Sequence, residues 1–187
     1  MDNNSNNKKR SSLLYCTVLA ALLVALDQFT KHLAVLHLMD KPPIVLIKGV
    51  FELTYATNKG AAFGVLQNRQ GFFLLVTSLV LLVLVYFTLR LPETKRYLPL
   101  RLTVCCLFAG ALGNLIDRVR LGYVVDFFYF SLIDFPVFNV ADCYVVVSSI
   151  LLAVLILFVY KEEELAVLLP ARKKNSDLQE RDEEGRK

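Results

Sequence analysis

The chain has 187 residues, 56% of them hydrophobic, with a mean hydropathy of +0.51 and a formal net charge of +4. That length suits one domain, and the hydrophobic share lies above a soluble globular norm, so a lipid bilayer is the expected solvent. The bases gather at the two ends and in one short loop, not in a stripe interleaved with aromatics, which leaves nucleic-acid binding without support.

The first tail, MDNNSNNKKR, ends in Lys8, Lys9 and Arg10 like the n-region of a signal sequence, but no small-x-small cleavage site follows the apolar run from Leu13 to Leu26. The run continues through His32 to Leu38 and reads as a retained membrane helix over about 12–38. Asp27 and Lys31, four residues apart, share one face of that helix and pair as a structural staple. From Asp40 to Gly71 the chain leaves the membrane. Val50 to Tyr55 alternates as a half-buried strand of a small extracytoplasmic sheet. The small residues of Asn58 to Gly64 permit a close backbone approach or a turn into a short interfacial helix. Phe72 to Leu89 lies within a second membrane helix, over 70–90. A third spans 98–117, with Gly110 and Gly113 able to admit a neighbour, and a fourth spans 137–160. Residues 1–160 thus form one four-helix domain, mainly α and integral to the membrane. The dense charge of 161–187 reads as a solvated, largely disordered cytoplasmic tail. The four cysteines, Cys16, Cys105, Cys106 and Cys143, lie in apolar segments without CxxC spacing and read as buried thiols.

Bases in the first tail, the loop from Arg90 to Arg101 and the C-terminal tail outnumber those on the other side by about two to one, which places both termini inside. With that orientation Asp27, Asp117 and Asp142 fall at one level near the outer face, and Asp126 lies on the loop returning to it. Ionised carboxylates beside apolar runs cost several kcal/mol unless paired or protonated, so such acids are expected to be used. An ion-coupled carrier would distribute polar groups through the membrane depth or around a midplane site, whereas here the inner two-thirds of each helix is nearly free of charge. A structural protein whose acids merely pair with bases is the other competing class.

Two carboxyls in contact do not both ionise readily, so one holds a proton while the other acts as a base, and together they can hydrolyse a peptide bond with no metal or cofactor. Asp142 opens the fourth helix, where free N–H groups favour an anion. Asp126, between Val124-Val125 and Phe127-Phe128, has an apolar setting that favours the shared proton. Asp117, beside Arg118 and near Arg120, suits a salt-bridged structural acid, and Asp126 is the stronger partner for Asp142 although the pattern leaves both open. Asp134 beside Phe135-Pro136 reads as a solvated loop acid. Asn114 and Asn139 either grip a substrate backbone or satisfy helix ends. Arg118 binds a lipid phosphate or a peptide carbonyl, or anchors its helix at the interface. A thiol alternative would use Cys143 with His32 or His37.

At these residues the chain resembles the bacterial lipoprotein signal peptidases, or signal peptidase II. The likeness runs in order through DQFTK at Asp27 to Lys31, NKGAAFG at Asn58 to Gly64, GNLIDR at Gly113 to Arg118, VVDF at Val124 to Phe127 and FNVAD at Phe138 to Asp142. It departs in Cys143, where a small serine is common, and in Ala56-Thr57 before Asn58. The resemblance implies an aspartic endopeptidase of the bacterial cytoplasmic (inner) membrane with its site at the extracytoplasmic face. It would act on diacylglyceryl-modified prolipoproteins, cutting just before the lipidated cysteine. It implies Asp126 and Asp142 as the catalytic pair. Asn58, Asn114, Arg118 and Asn139 would line the substrate, with Asp27, Lys31 and Asp117 as structural support. It further implies inhibition by the cyclic peptide globomycin, contact with membrane lipids, no nucleic-acid partner, and activity as a monomer.

Overall fold

Between Asp2 and Leu38 the sequence contains neither glycine nor proline, and a helix begun in the apolar part has nothing to stop it propagating backwards. In the computed structural model, which describes residues 2–60 and 69–168, helix α1 accordingly spans Asp2–Leu38. It takes in the polar tail and so starts well before residue 12. Then follow β1 (Ile44–Ile47), β2 (Phe51–Asn58), α2 (Gln70–Arg90), α3 (Leu98–Leu121), β3 (Val124–Tyr129) and α4 (Val140–Val154). The last turn of α4 widens into a π-helix at Leu155–Val159, and a short α5 covers Glu162–Leu165. Among the described residues four segments are long and apolar enough to cross a bilayer: Lys9–Leu38, Gln70–Arg90, Lys95–Leu121 and Val140–Val159. The interfacial helix expected between the first two spans lies in 61–68, outside the described residues.

Helix α3 is the hub. It packs against α1, α2 and α4 and carries a long series of buried residues, whereas α2 and α4 bury two each. The outward faces of α1, α2 and α4 are large apolar side chains such as Leu22, Phe29, Leu79, Val147 and Ile150, all exposed. Lipid is as apolar as those side chains, so the driving force for helix contact is close packing and polar pairing. Two glycines provide the packing: a Cβ on Gly110 would sit 2.6 Å from the Ala141 carbonyl oxygen, and one on Gly113 would sit 2.5 Å from Asp27 Oδ2.

The strands form one antiparallel sheet in the order β1-β2-β3, with Ala56 opposite Asp126 and Asn58 opposite Val124. It rests on the C-terminal end of α1, where Ala34 and Leu38 cluster with Val125 and Phe127. β2 begins at Phe51 and runs on to Asn58, beyond the alternation read from Val50 to Tyr55. β3 replaces the expected return loop. VVDFFY is β-branched and aromatic and follows Gly122, which ends α3 in the left-handed region at φ 81. Helix α4 starts at Val140, not 137, because Phe138 is still extended, bridging to Phe128, and Asn139 caps the helix. A second cluster, of Leu84, Leu91, Leu100, Val104, Leu155 and Tyr160, closes the opposite end, and Leu165 and Leu168 pack onto it. Residues 161–168 are therefore folded against the bundle, contrary to a tail solvated from its start.

Candidate active site

The acids gather where α1, α3, α4 and β3 converge. Asp27 and Lys31, one turn apart on α1, lie 3.0 Å from each other, and Lys31 Nζ is also 3.0 Å from Asp117 Oδ2 on α3. All three are almost wholly buried. Asp27 Oδ1 accepts the Ala141 backbone N–H at 2.9 Å, and Asp117 accepts Gln28 Nε2 at 2.9 Å and the Val125 backbone N–H at 3.2 Å. This acid–base–acid group ties α1 to the start of α4 and α3 to the start of β3. The cation expected for Asp117 beside it in sequence is instead Lys31. Arg118 turns away, its guanidinium over the Phe73 ring at 5.1 Å and within 3.4 Å of the Asn114 and Gly60 carbonyl oxygens.

Next to this group stand Asp126 and Asp142, on either side of Asn139. The Asn139 side-chain amide donates to Asp126 Oδ1 at 2.6 Å, while its backbone N–H donates to Asp142 Oδ2 at 3.1 Å. Asp142 is the third residue of α4, and its own backbone N–H donates to Asn139 Oδ1 at 3.0 Å, closing a capping box. Each acid has a second donor. Asn114 Nδ2 donates to Asp142 Oδ1 at 2.8 Å and Asn58 Nδ2 to Asp126 Oδ2 at 3.0 Å. The sheet register explains the second contact, because Asn58 lies two residues beyond Ala56, the partner of Asp126, and the two side chains leave the same face.

Asp126 is 1% exposed, and burial together with the nearby Asp142 charge pushes its carboxyl up to about 7. The hydrogen bonds from Asn58 and Asn139 oppose that rise without cancelling it. Near neutral pH the site thus has a carboxyl able to hold a proton beside one carrying amide donors, which is the requirement for coupled general acid and general base chemistry. Two grooves of about 530 and 590 Å³ border α1 and carry none of these acids.

Every residue singled out from the sequence lies in this region: Asp126, Asp142, Asn58, Asn114, Arg118 and Asn139 around the pair, and Asp27, Lys31 and Asp117 behind it. Gln28 went unassigned despite its place in DQFTK. Its side chain bridges Asp27, Asp117 and the Gly113 carbonyl oxygen, and the signal is its adjacency to Asp27 at the end of the apolar run from Leu13 to Leu26. Asp134 is exposed and accepts the Tyr129 hydroxyl at 2.7 Å. The four cysteines are free thiols, and His32 and His37 are exposed on α1, which gives Cys143 no imidazole in the cluster.

Comparison with known proteins agrees with this geometry. Residues 19–158 match the family model described as signal peptidase (SPase) II. The chain is 51% identical over 142 residues to the lipoprotein signal peptidase of Caldanaerobacter subterraneus subsp. tengcongensis, covering 75% of this chain and 94% of that one. With the lipoprotein signal peptidase of Clostridioides difficile the identity is 44% over 146 residues, covering 78% and 96%. A bacterial membrane enzyme solved by the in meso method at 2.3 Å superposes with a TM-score of 0.66 at 35% identity, over 76% of this chain and 87% of that one. A second, at 1.9 Å, gives 0.66 at 34%, over 78% and 94%. Carrier and purely structural roles give way to a membrane-embedded peptidase, and the chain belongs to the signal peptidase II family.

Proposed function

We propose that this peptidase removes the signal peptide from diacylglyceryl-modified prolipoproteins, cutting just before the lipidated cysteine by water attack between Asp126 and Asp142. The observation that carries the proposal is the suspension of two carboxyls from one residue, Asn139, with Asp126 able to keep a proton up to about pH 7. In the resting state Asp126 is the acid and Asp142 the base. Asp142 takes a proton from the attacking water as its oxygen bonds to the scissile carbonyl carbon. Asp126 donates to the carbonyl oxygen as charge develops there. When the tetrahedral intermediate collapses, Asp142 passes the proton it took from water to the leaving nitrogen and Asp126 recovers its proton from the carbonyl oxygen, giving a new carboxyl group on the signal peptide and a free amine on the lipidated cysteine.

The substrate class explains a site set between membrane helices and a surface sheet. A diacylated cysteine keeps its chains in the bilayer at about 0.8 kcal/mol per buried CH₂, so the enzyme must meet the scissile bond at the interface. In this account Asn58, Arg118 and Asn139 line the bound peptide. Arg118 is suited to it because, among the described residues, its guanidinium is held by two carbonyl oxygens at 3.4 Å and a ring face, with no ion pair. The protein is placed in the bacterial cytoplasmic membrane with both termini inside, residues 161–187 on the cytoplasmic side, and the carboxyl pair at the outer face. It acts as a monomer in contact with membrane lipids, and globomycin competes for the same groove.

Incubation of the purified protein with a diacylglyceryl prolipoprotein, followed by mass spectrometry, tests this. The expected product begins at the lipidated cysteine, its formation is blocked by globomycin, and the precursor lacking the diacylglyceryl group is not cut. Equal cleavage of the unlipidated precursor, or cleavage elsewhere, would overturn the assignment.

A further inference from the structure

We infer that Lys31 and Asn114 are positioning residues for the carboxyl pair: the buried ammonium fixes the Asn114 amide so that its N–H faces Asp142. This rests on the peptidase function proposed above and assigns Asn114 a part different from gripping the substrate.

Lys31 is 3% exposed, and its ammonium meets an oxygen for each of its three N–H donors: Asp27 Oδ2 at 3.0 Å, Asp117 Oδ2 at 3.0 Å and Asn114 Oδ1 at 2.9 Å. No donor is left for a substrate. The two acids are themselves held, Asp27 by the Ala141 backbone N–H and Asp117 by Gln28 and the Val125 backbone N–H. Four elements, α1, α3, α4 and β3, therefore fix where the ammonium points.

An asparagine amide is nearly symmetric in shape, and its neighbours decide which end is oxygen. An ammonium only donates, so the end of Asn114 facing Lys31 must be the oxygen. The Asn139 side-chain amide donates to that oxygen as well, at 3.2 Å. The nitrogen is left facing Asp142 Oδ1, at 2.8 Å. Reversing the amide would set N–H against ammonium and oxygen against carboxylate, two repulsive contacts in a site with little water to soften them. Without the cation the charged contact that fixes the amide is lost, and only the longer Asn139 contact and Asp142 itself still favour this orientation. Asn139 is oriented the same way, because the Asp142 backbone N–H occupies its oxygen and turns its nitrogen toward Asp126. Among the described residues the Asn114 oxygen is thus filled by two donors, and one of its two side-chain N–H groups is committed to Asp142.

The test is steady-state cleavage of a diacylglyceryl prolipoprotein, with the thermal midpoint of each variant measured in the same detergent. Asn114→Asp keeps an oxygen toward Lys31 and puts another where Asp142 had a donor. Its kcat should fall by about 10- to 100-fold, the cost usual for losing an orienting partner, with KM within about twofold of the wild type. Lys31→Met alone leaves two buried acids without a cation and is open to misfolding, so it is combined with Asp117→Asn, which restores the net charge of the group. Lys31→Met/Asp117→Asn should lose kcat by a similar factor relative to Asp117→Asn alone, again at unchanged KM. A raised KM with kcat preserved in Asn114→Asp would return that residue to substrate binding and overturn the inference, as would a double variant turning over as fast as Asp117→Asn. Failure of the wild type to cut any lipidated precursor would instead defeat the proposed function.

Discussion

Burial and the neighbouring Asp142 push the Asp126 carboxyl up to about 7, and this has a sign that can be measured. A carboxyl whose folded-state pKa lies above its unfolded value favours the fold while protonated, and that contribution is lost as the pH rises through about 7. Cleavage that needs the Asp126 proton should fall over the same interval, so a rate profile is expected to decline above about pH 7. Asp126→Asn should unfold at or above the wild-type temperature at pH 8, because it removes an ionising group from an apolar site. A thermal midpoint well below wild type at pH 8 would argue that the ionised carboxylate stabilises the fold, contrary to a raised pKa. The acids themselves were conspicuous in the sequence, since charge inside an apolar run has few bland explanations. Their partners were not. Asp117 was matched with Arg118 and Arg120, its neighbours along the chain, but a lysine side chain from another helix reached it first. Nothing in local spacing reveals that.

At the level of elements, the site exists because α3 lets α1 and α4 come close. Gly113→Ala would drive a methyl into Asp27 Oδ2, and Gly110→Ala would drive one into the Ala141 carbonyl oxygen and Val145 Cγ2, the latter at 2.9 Å. The first collision is with a carboxylate pinned by Lys31 and the Ala141 N–H and the second is with backbone, so each substitution should cost about 1–3 kcal/mol in a reversible unfolding measurement, with Gly113→Ala also lowering turnover because it displaces the Lys31 group. An alanine variant as stable as the wild type would mean that the helices pack less tightly here than described. Long apolar runs made the four spans legible, and the glycines in α3 signalled a close approach. β3 stayed hidden because Asp126 interrupts its apolar pattern and because strand pairing with β2 depends on residues far away in the chain. Helix ends were shifted for local reasons: no breaker halted α1, and Asn139 outcompeted Val137 as the start of α4.

On the scale of the whole molecule, the charged side chains of the described membrane spans are confined to their ends and one buried layer, with mainly apolar, lipid-facing side chains between. The end away from the sheet is closed by Arg96, which pairs with Glu164 and donates to the Val159 carbonyl oxygen, and by Tyr160, which donates to the Arg96 carbonyl oxygen and stacks on Tyr97. The orientation proposed above puts that end in the cytoplasm, and it can be checked in cells. In a cysteine-free background, Asp134→Cys should react with a membrane-impermeant maleimide applied from outside, and Lys95→Cys should react only after the membrane is opened. The reverse pattern would invert the protein and move the carboxyl pair to the wrong face for a secreted substrate. The general architecture was readable because a bilayer admits few solutions; the side-chain network at its rim was not, because distant elements assemble it.

The most direct measurement is cleavage of a diacylglyceryl prolipoprotein by purified Asp126→Asn, Asp142→Asn and Asp117→Asn, each shown to be folded. The first two are predicted to lose turnover by about 10³-fold or more while Asp117→Asn retains most of it. Near-normal cleavage by either of the first two, or loss confined to Asp117→Asn, would contradict a carboxyl pair made of Asp126 and Asp142.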